Sequence, residues 1–333
     1  MSELRWHPIL EEWVVTATHR QDRTFLPPPG YCPLCPTRPG GFPTEVPAED
    51  YQYVVFENRF PAFRRHPPEP AIAGDDFYQI GPAAGTCEVV LYSSRHEGTL
   101  TDRSVAEIDR LIRVWTDRYR VLGEREDIDY VFIFENKGEA IWVTLHHPHG
   151  QIYAFSYIPP KIQRELDSAA RHFQGTGHCL FCDILARERE DGRRIVAENA
   201  SWVAVIPFFA RYPYETYLLP KRHRDSLLDL TPDERLDMAA LLKEILVKFD
   251  ALWGLSFPYM MVMHQAPTDG IARPGTHLHV EFYPPLRTPD KLKYLAGCES
   301  GAGTFINDTL PEEKAAELRN AGPSPVKLGR FPL

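Results

Sequence analysis

The chain lacks any apolar run that approaches the ~18–20 residues of a membrane span. Its first residues, Met1 to Arg5, also lack the charged-then-apolar build of a secretory signal. A cytoplasmic protein is therefore expected. A basic excess is missing too: 37 Lys and Arg against 46 Asp and Glu give a net charge of −9. Binding a nucleic-acid backbone needs a basic face, so nucleic acid is excluded as the main partner. A small anionic ligand stays open, because a few local Arg and Lys residues suffice for it. Cysteine is sparse, with 6 in 333 residues. In a cytosolic chain these serve as metal ligands or free thiols rather than disulfides.

Apolar residues make up 43% of the chain, ample for a core, and the length suggests two domains. Four cysteines form two C-x₂-C pairs, Cys32/Cys35 and Cys179/Cys182, while Cys87 and Cys298 stand alone and read as buried thiols. Prolines at 27–29 and 67–68 mark extended connections.

The order of features in the first half is distinctive. After Cys32/Cys35 comes a strand over 51–56 ending in Glu57-Asn58, then a strand over 86–92 leading to His96. Leu100-Thr101-Asp102 opens a helix with Thr101 as its cap, and Val105, Ile108, Leu111, Ile112 and Trp115 share its apolar face. An apolar strand, Tyr130 to Phe134, then precedes His146-His147-Pro148-His149-Gly150-Gln151. The second half repeats this order with Cys179/Cys182, Glu198-Asn199, and a strand over 215–219 leading to His223. Next comes a helix capped by Thr231 with Pro232 in its first turn; Leu236, Ala240, Leu241 and Ile245 are read as its apolar face. The strand Tyr259 to Met263 and the run His277-Leu278-His279-Val280-Glu281 complete the series. Cys32 and Cys179 are 147 residues apart, His96 and His223 127, and His147 and His277 130, so only loop lengths differ. The chain reads as a duplicated α+β unit, divided into residues 1–170 and 171–333. It closes with a helix from Pro311 to Arg319 and a loosely held tail from Pro323.

In an extended stretch alternate side chains share a face, which sets His147, His149 and Gln151 side by side. Polar side chains on one face of an apolar strand are costly unless they hold a ligand or metal. Cys32, Cys35, His96 and His147 make a donor set for tetrahedral zinc, and Cys179, Cys182, His223 and His277 reproduce all four positions. His149 is then left for chemistry, since a neutral imidazole with a reference pKa of ~6.5 is a competent nucleophile.

The run His147 to Gln151 and its lead-in, Phe134-Glu135-Asn136-Lys137-Gly138, resemble galactose-1-phosphate uridylyltransferases, a branch of the histidine-triad superfamily. The likeness extends over most of the chain. It implies a duplicated histidine-triad-like unit, each an antiparallel sheet with packed helices, the two forming a continuous pseudo-twofold core. It further implies that the position of His149 carries a nucleotidyl intermediate in a ping-pong exchange between a nucleotide sugar and a hexose 1-phosphate. Gln151 stands where hydrolytic relatives carry a third histidine, and an amide cannot supply a leaving-group proton, which favours transfer over hydrolysis. Arg20 and Arg23 match an Arg-x-x-Arg that contacts phosphates. Asn58, Asn136 and Thr144 match nucleotide and phosphate contacts, with Arg59 in place of a usual aspartate. Lys293 and Glu299 match a C-terminal segment that contacts the sugar end, where Phe305 replaces a glutamine. Trp142 replaces a small residue just upstream of the active strand and is expected to narrow the pocket or pack beneath it. The resemblance also implies structural zinc at the first Cys₂His₂ set and a homodimer. Some members bind iron instead through positions that here are Glu165, His264, His279 and Glu281; Glu281 replaces a histidine, so zinc at Cys179/Cys182 is the expectation. His279 occupies the nucleophile's place in a degenerate copy. Two other readings stand beside this one: an ADP-sugar phosphorylase with the same motif, and a zinc-stabilised nucleotide-binding scaffold without catalysis. Adduct formation with UDP-glucose or ADP-glucose discriminates among them.

Overall fold

The computed structural model describes residues 2–22, 28 and 30–322. The first half contains β1 (Ser2–His7), β2 (Glu12–Ala17), β3 (Val54–Glu57), β4 (Ile80–Pro82), β5 (Gly85–Leu91), α1 (Val105–Gly123), β6 (Tyr130–Lys137) and β7 (His149–Phe155). The second contains α2 (Pro160–Thr176), α3 (Leu180–Asp191), β8 (Ile195–Glu198), β9 (Trp202–Val205), β10 (Thr216–Pro220), α4 (Pro232–Trp253), β11 (Tyr259–His264) and β12 (His279–Tyr283). A C-terminal segment adds β13 (Leu286–Thr288), β14 (Lys291–Leu292), α5 (Gly297–Ala302) and α6 (Pro311–Asn320). No helix among the described residues is long and apolar enough to cross a membrane.

Nine antiparallel strands form one sheet in the order β3-β5-β7-β6-β11-β12-β10-β9-β8. The halves meet at β6–β11, where Lys137 pairs with Tyr259 and Ile133 with Met263. Outward from this seam the order mirrors, β6-β7-β5-β3 against β11-β12-β10-β9, so the fold is a duplicated α+β unit with a continuous core. By this order β9 is the counterpart of β3, and β8 is an added outer strand. The likeness of Glu198-Asn199 to Glu57-Asn58 is thus local: Asn199 Oδ1 accepts from Trp202 N–H at the β8–β9 turn, whereas Asn58 follows β3 itself.

Helices α1 and α4 cover one face of the sheet and share its core. Ile108, Leu111, Ile112 and Trp115 of α1 are buried with Ile133, Ile152, Met261, Val280 and Phe249. Thr101 does not cap α1. Thr99 and Asp102 close a single 3-10 turn, and Ser104 with Glu107 forms a second capping box that starts α1 at Val105. Thr231 does cap α4 with Pro232 in the first turn, but the buried stripe is Met238, Leu241, Leu242, Ile245 and Phe249; Leu236 is exposed. The helix is apolar on more than one side, so its sequence alone left the inward face ambiguous. Cys87 is buried as expected, whereas Cys298 is exposed because α5 is a short surface helix.

Strand β7 decides where the site lies. Its burial alternates, with Gly150, Ile152 and Ala154 buried while His149, Gln151 and Tyr153 are only half-buried. His147 precedes the strand in a bend and is fully buried, so it does not share the face of His149 and Gln151. Pro148 lies between them and breaks the alternation expected from an extended stretch.

Candidate active site and metal centres

The turn at Cys32–Cys35, the segment after β5 and the bend before β7 bring four donors together. Ligand atoms of Cys32, Cys35, His96 and His147 lie within 4.8 Å of one another. Cys35 Sγ is 3.4 Å from His96 Nδ1 and 3.6 Å from His147 Nδ1. The far nitrogen of His147 is held as well: Nε2–H donates to the Ser93 carbonyl at 2.7 Å, with the Tyr51 hydroxyl at 2.8 Å. Assigning the proton to Nε2 turns the Nδ1 lone pair toward the thiols, the usual outer-shell arrangement of a ligating histidine. Burial pushes the His147 pKa down to about 4, which keeps the ring neutral. Burial and the neighbouring Cys32 push the Cys35 thiol up to about 11. Packed thiols that resist ionisation alone are the environment a dication relieves. The donor chemistry therefore fits zinc.

The second set is built the same way. Cys179 caps α3 and Cys182 lies in its first turn. Ligand atoms of Cys179, Cys182, His223 and His277 again lie within 4.8 Å. Cys182 Sγ is 3.5 Å from His223 Nδ1 and 3.6 Å from His277 Nδ1. A third group, Glu165, His264 and His279, is equally close, and Glu281 stands beside it, 3.8 Å from His264 and 3.5 Å from His279, with Lys161 Nζ 2.6 Å from its carboxylate.

The first repeat carries an open cleft. A cavity of about 340 Å³ is lined by His149, Gln151, Thr144 and Asn58, with Leu34, Phe56, Phe60, Val89 and Leu145 as apolar wall and Arg59 and Glu45 also in its lining. Asn58 Oδ1 accepts from the Phe60 N–H at 2.9 Å, and Arg59 pairs with Glu45 at 3.2 Å. His149 Nδ1 lies 2.8 Å from the His147 carbonyl. An Nδ1–H donor there places the ring's lone pair on Nε2.

The other expected residues are placed differently. Arg20 reaches the Phe60 carbonyl at 3.4 Å and does not line the cavity. Asn136 pairs along the seam with Met260, and Lys293 binds Glu299 at 3.0 Å; none of these three lines the cavity. Arg23 lies outside the described residues. Trp142 neither narrows the cavity nor packs beneath it: it is 69% exposed and left-handed, with φ 62°. It ends the turn Glu139–Ile141, and that turn carries the indole outward. Sequence reading missed Tyr51, Ser93 and the apolar wall; the aromatic residues flanking Asn58 were the one available signal.

Beneath the cleft, Gly150 admits no side chain. A Cβ there would sit 2.1 Å from the Tyr92 hydroxyl oxygen and 3.2 Å from the Phe134 carbonyl. Gly150→Ala is therefore expected to shift β7 and lower stability by about 1–3 kcal/mol, together with turnover. Denaturant melts and rates on one preparation check this; unchanged values for both would show that the strand accommodates the methyl freely.

The Tyr92 hydroxyl donates to Glu135 at 2.9 Å, and Tyr259 donates to the same carboxylate at 2.8 Å. Burial raises the Glu135 pKa from 4.5 to about 7. A raised carboxyl pKa means that the folded chain holds a proton the unfolded chain has lost. Stability should thus fall as pH climbs from 4.5 to about 7, by ~3 kcal/mol at most. Glu135→Gln removes this slope. Urea unfolding at pH 5 and pH 8 tests it, and identical pH dependence in both proteins would refute the assignment.

Two fused copies of one antiparallel unit, paired Cys₂His₂ clusters and an open cleft lined by a histidine define a duplicated α+β protein. Residues 1–159 match galactose-1-phosphate uridyl transferase, N-terminal domain, and residues 165–326 match the C-terminal domain of the same family. The chain belongs to the galactose-1-phosphate uridyl transferase family. It is 39% identical to the galactose-1-phosphate uridylyltransferase of Thermotoga maritima over 96% of this chain and 98% of that one. Identity to the Haemophilus influenzae enzyme is 34%, covering 95% and 93%. A solved uridylyltransferase structure superposes with a TM-score of 0.85 at 35% identity, covering 96% of this chain and 98% of that one. An ADP-glucose phosphorylase from Arabidopsis thaliana with bound ADP-glucose superposes with a TM-score of 0.74 at 25% identity, covering 97% and 100%.

Proposed function

We propose that the protein transfers UMP between UDP-glucose and galactose 1-phosphate by a ping-pong exchange through His149. The observation that carries this reading is the 2.8 Å contact from His149 Nδ1 to the His147 carbonyl inside the open cleft. With Nδ1 donating, Nε2 attacks the α-phosphorus of UDP-glucose. The phosphoanhydride P–O bond breaks and glucose 1-phosphate leaves with the bonding pair. The resulting uridylyl-imidazole is attacked by a phosphate oxygen of galactose 1-phosphate, which returns the lone pair to Nε2 and yields UDP-galactose. Gln151 can donate to a phosphoryl oxygen but holds no transferable proton, so the intermediate is guarded against hydrolysis. Leu34, Phe56, Phe60 and Val89 offer an apolar face for a base, and Thr144 and Asn58 offer polar contacts.

Zinc at Cys32, Cys35, His96 and His147 supplies structure, fixing the bend whose carbonyl orients His149. The matching set, Cys179, Cys182, His223 and His277, holds the second zinc. Arg20, Arg23 and Asn136 serve phosphate and nucleotide contacts. Lys293 and Glu299, apart from the cavity lining, contact the sugar end in a homodimer. The units divide at residues 1–170 and 171–333, and the chain works in the cytoplasm. Intact mass after brief mixing with UDP-glucose tests the reading: a uridylyl adduct forms and disappears on adding galactose 1-phosphate. An adenylyl adduct from ADP-glucose, cleared by inorganic phosphate, would instead establish the phosphorylase reading that the likeness to the Arabidopsis structure favours. No adduct with either would leave the non-catalytic scaffold.

A further inference from the structure

The second repeat closes over the residue that stands in the place of His149. Phe181 replaces Leu34 within the C-x₂-C turn, and its ring centre lies 4.4 Å from that of His279. Tyr217 stacks on His279 at 5.8 Å, so the imidazole is 2% exposed. The space left beside Glu165, His264 and His279 is about 20 Å³, room for one water or ion. Two carboxylates and two histidines converge on this spot, a donor set that a divalent transition metal accepts readily.

Both carboxylates are already engaged, one oxygen of each by a hydrogen bond and the other by a looser 3.5 Å ion pair, while the buried His279 Nε2 has no hydrogen-bond partner among the described residues. Glu165 Oε2 lies 2.8 Å from His264 Nδ1, and its Oε1 lies 3.5 Å from Lys161 Nζ. Glu281 Oε2 lies 2.6 Å from Lys161 Nζ, and its Oε1 lies 3.5 Å from His279 Nε2. Lys161 also donates to the Tyr283 hydroxyl, and its ammonium stands 4.8 Å from the centre of that ring. The ammonium thus bridges the two acids from one turn of α2, Lys161 and Glu165 being four residues apart. A dication at the same acids would have to share them with this charge; the Lys161 side chain is 41% exposed, but its ammonium meets the buried carboxylate of Glu281, where like charges still repel.

We propose that Lys161 is the built-in cation of the second repeat, taking the charge-balancing place of a metal among Glu165, His264, His279 and Glu281. The chain consequently binds two metal ions, both with thiolate ligands, and no third.

Elemental analysis of protein loaded with Co²⁺, alongside its absorption spectrum, tests this on the full chain. Wild type should bind about two ions per chain, both showing thiolate charge-transfer bands. Lys161→Met removes the ammonium and should raise the count to about three, the added ion contributing only weak ligand-field bands because its donors are nitrogen and oxygen. Lys161→Arg keeps the positive charge and should stay at two, which also shows that the helix tolerates substitution. A third, non-thiolate ion in the wild type overturns the proposal, as does a folded Lys161→Met protein that remains at two. Because the thiolate bands are counted separately, loss of a Cys₂His₂ site is distinguished from failure at Lys161.

Discussion

Replacing His149 with alanine is expected to abolish uridylyl transfer while leaving the fold intact. Loss of a covalent nucleophile costs on the order of 10⁵–10⁶ in turnover, because residual catalysis from binding alone is small. The side chain is only half-buried and faces the cleft, so its truncation removes little packing. Stability should change by less than about 1 kcal/mol. The decisive readout is the adduct: incubated with UDP-glucose, the variant should show no mass increase, and its melting curve should overlay that of the wild type. A His149→Ala protein that still forms a discharged uridylyl adduct would falsify the assignment of the nucleophile.

The second large effect concerns the two Cys₂His₂ clusters, which should separate by function. Cys35→Ser and Cys182→Ser are each expected to lower the zinc content from about two to about one per chain and to lower the melting temperature, since structural zinc contributes folding energy directly. Their effects on rate should differ. The first cluster contains His147, whose carbonyl meets His149 Nδ1 at 2.8 Å, so a loosened bend misdirects the nucleophile. Displacements of this kind cost about 10²-fold or more. The second cluster adjoins His279, which is sealed by Phe181, so Cys182→Ser should keep most of its kcat at temperatures where it is folded. Metal content, thermal melts and kcat on the same preparations decide the matter. If both variants lose activity equally while folded, the separation of roles fails.

The sequence carried the donor sets because both were duplicated, and two coincident fours of Cys and His leave few alternatives. It carried His149 and Gln151 through the motif and the neighbouring strands. What stayed hidden depends on long-range approach. Tyr51 lies 96 residues from His147, and Lys161 lies 120 from Glu281; no local pattern pairs them. Arg20 read as a phosphate ligand because guanidinium suits phosphate, yet it reaches the backbone carbonyl of Phe60. Trp142 read as part of the pocket from its position alone, and the left-handed turn that carries it out of the cleft leaves little trace in residue types. Helix α4 shows the opposite case: the cap at Thr231 was legible, being local chemistry, whereas its inward face depended on what it packs against.

At β6–β11 the second half closes an edge of the first. Were the second half absent, β6 would end the sheet with a row of unpaired amides and carbonyls between Ile133 and Lys137. Such an apolar margin is a template for any extended chain that drifts by. The partner strand β11 covers that margin within the same polypeptide, so no second molecule is needed to quench it. The second repeat is in this sense a permanent guard, shielding the strand that borders β7 from association and holding its register. That duty resides in its backbone and therefore tolerates changed side chains, down to a lysine among the acids.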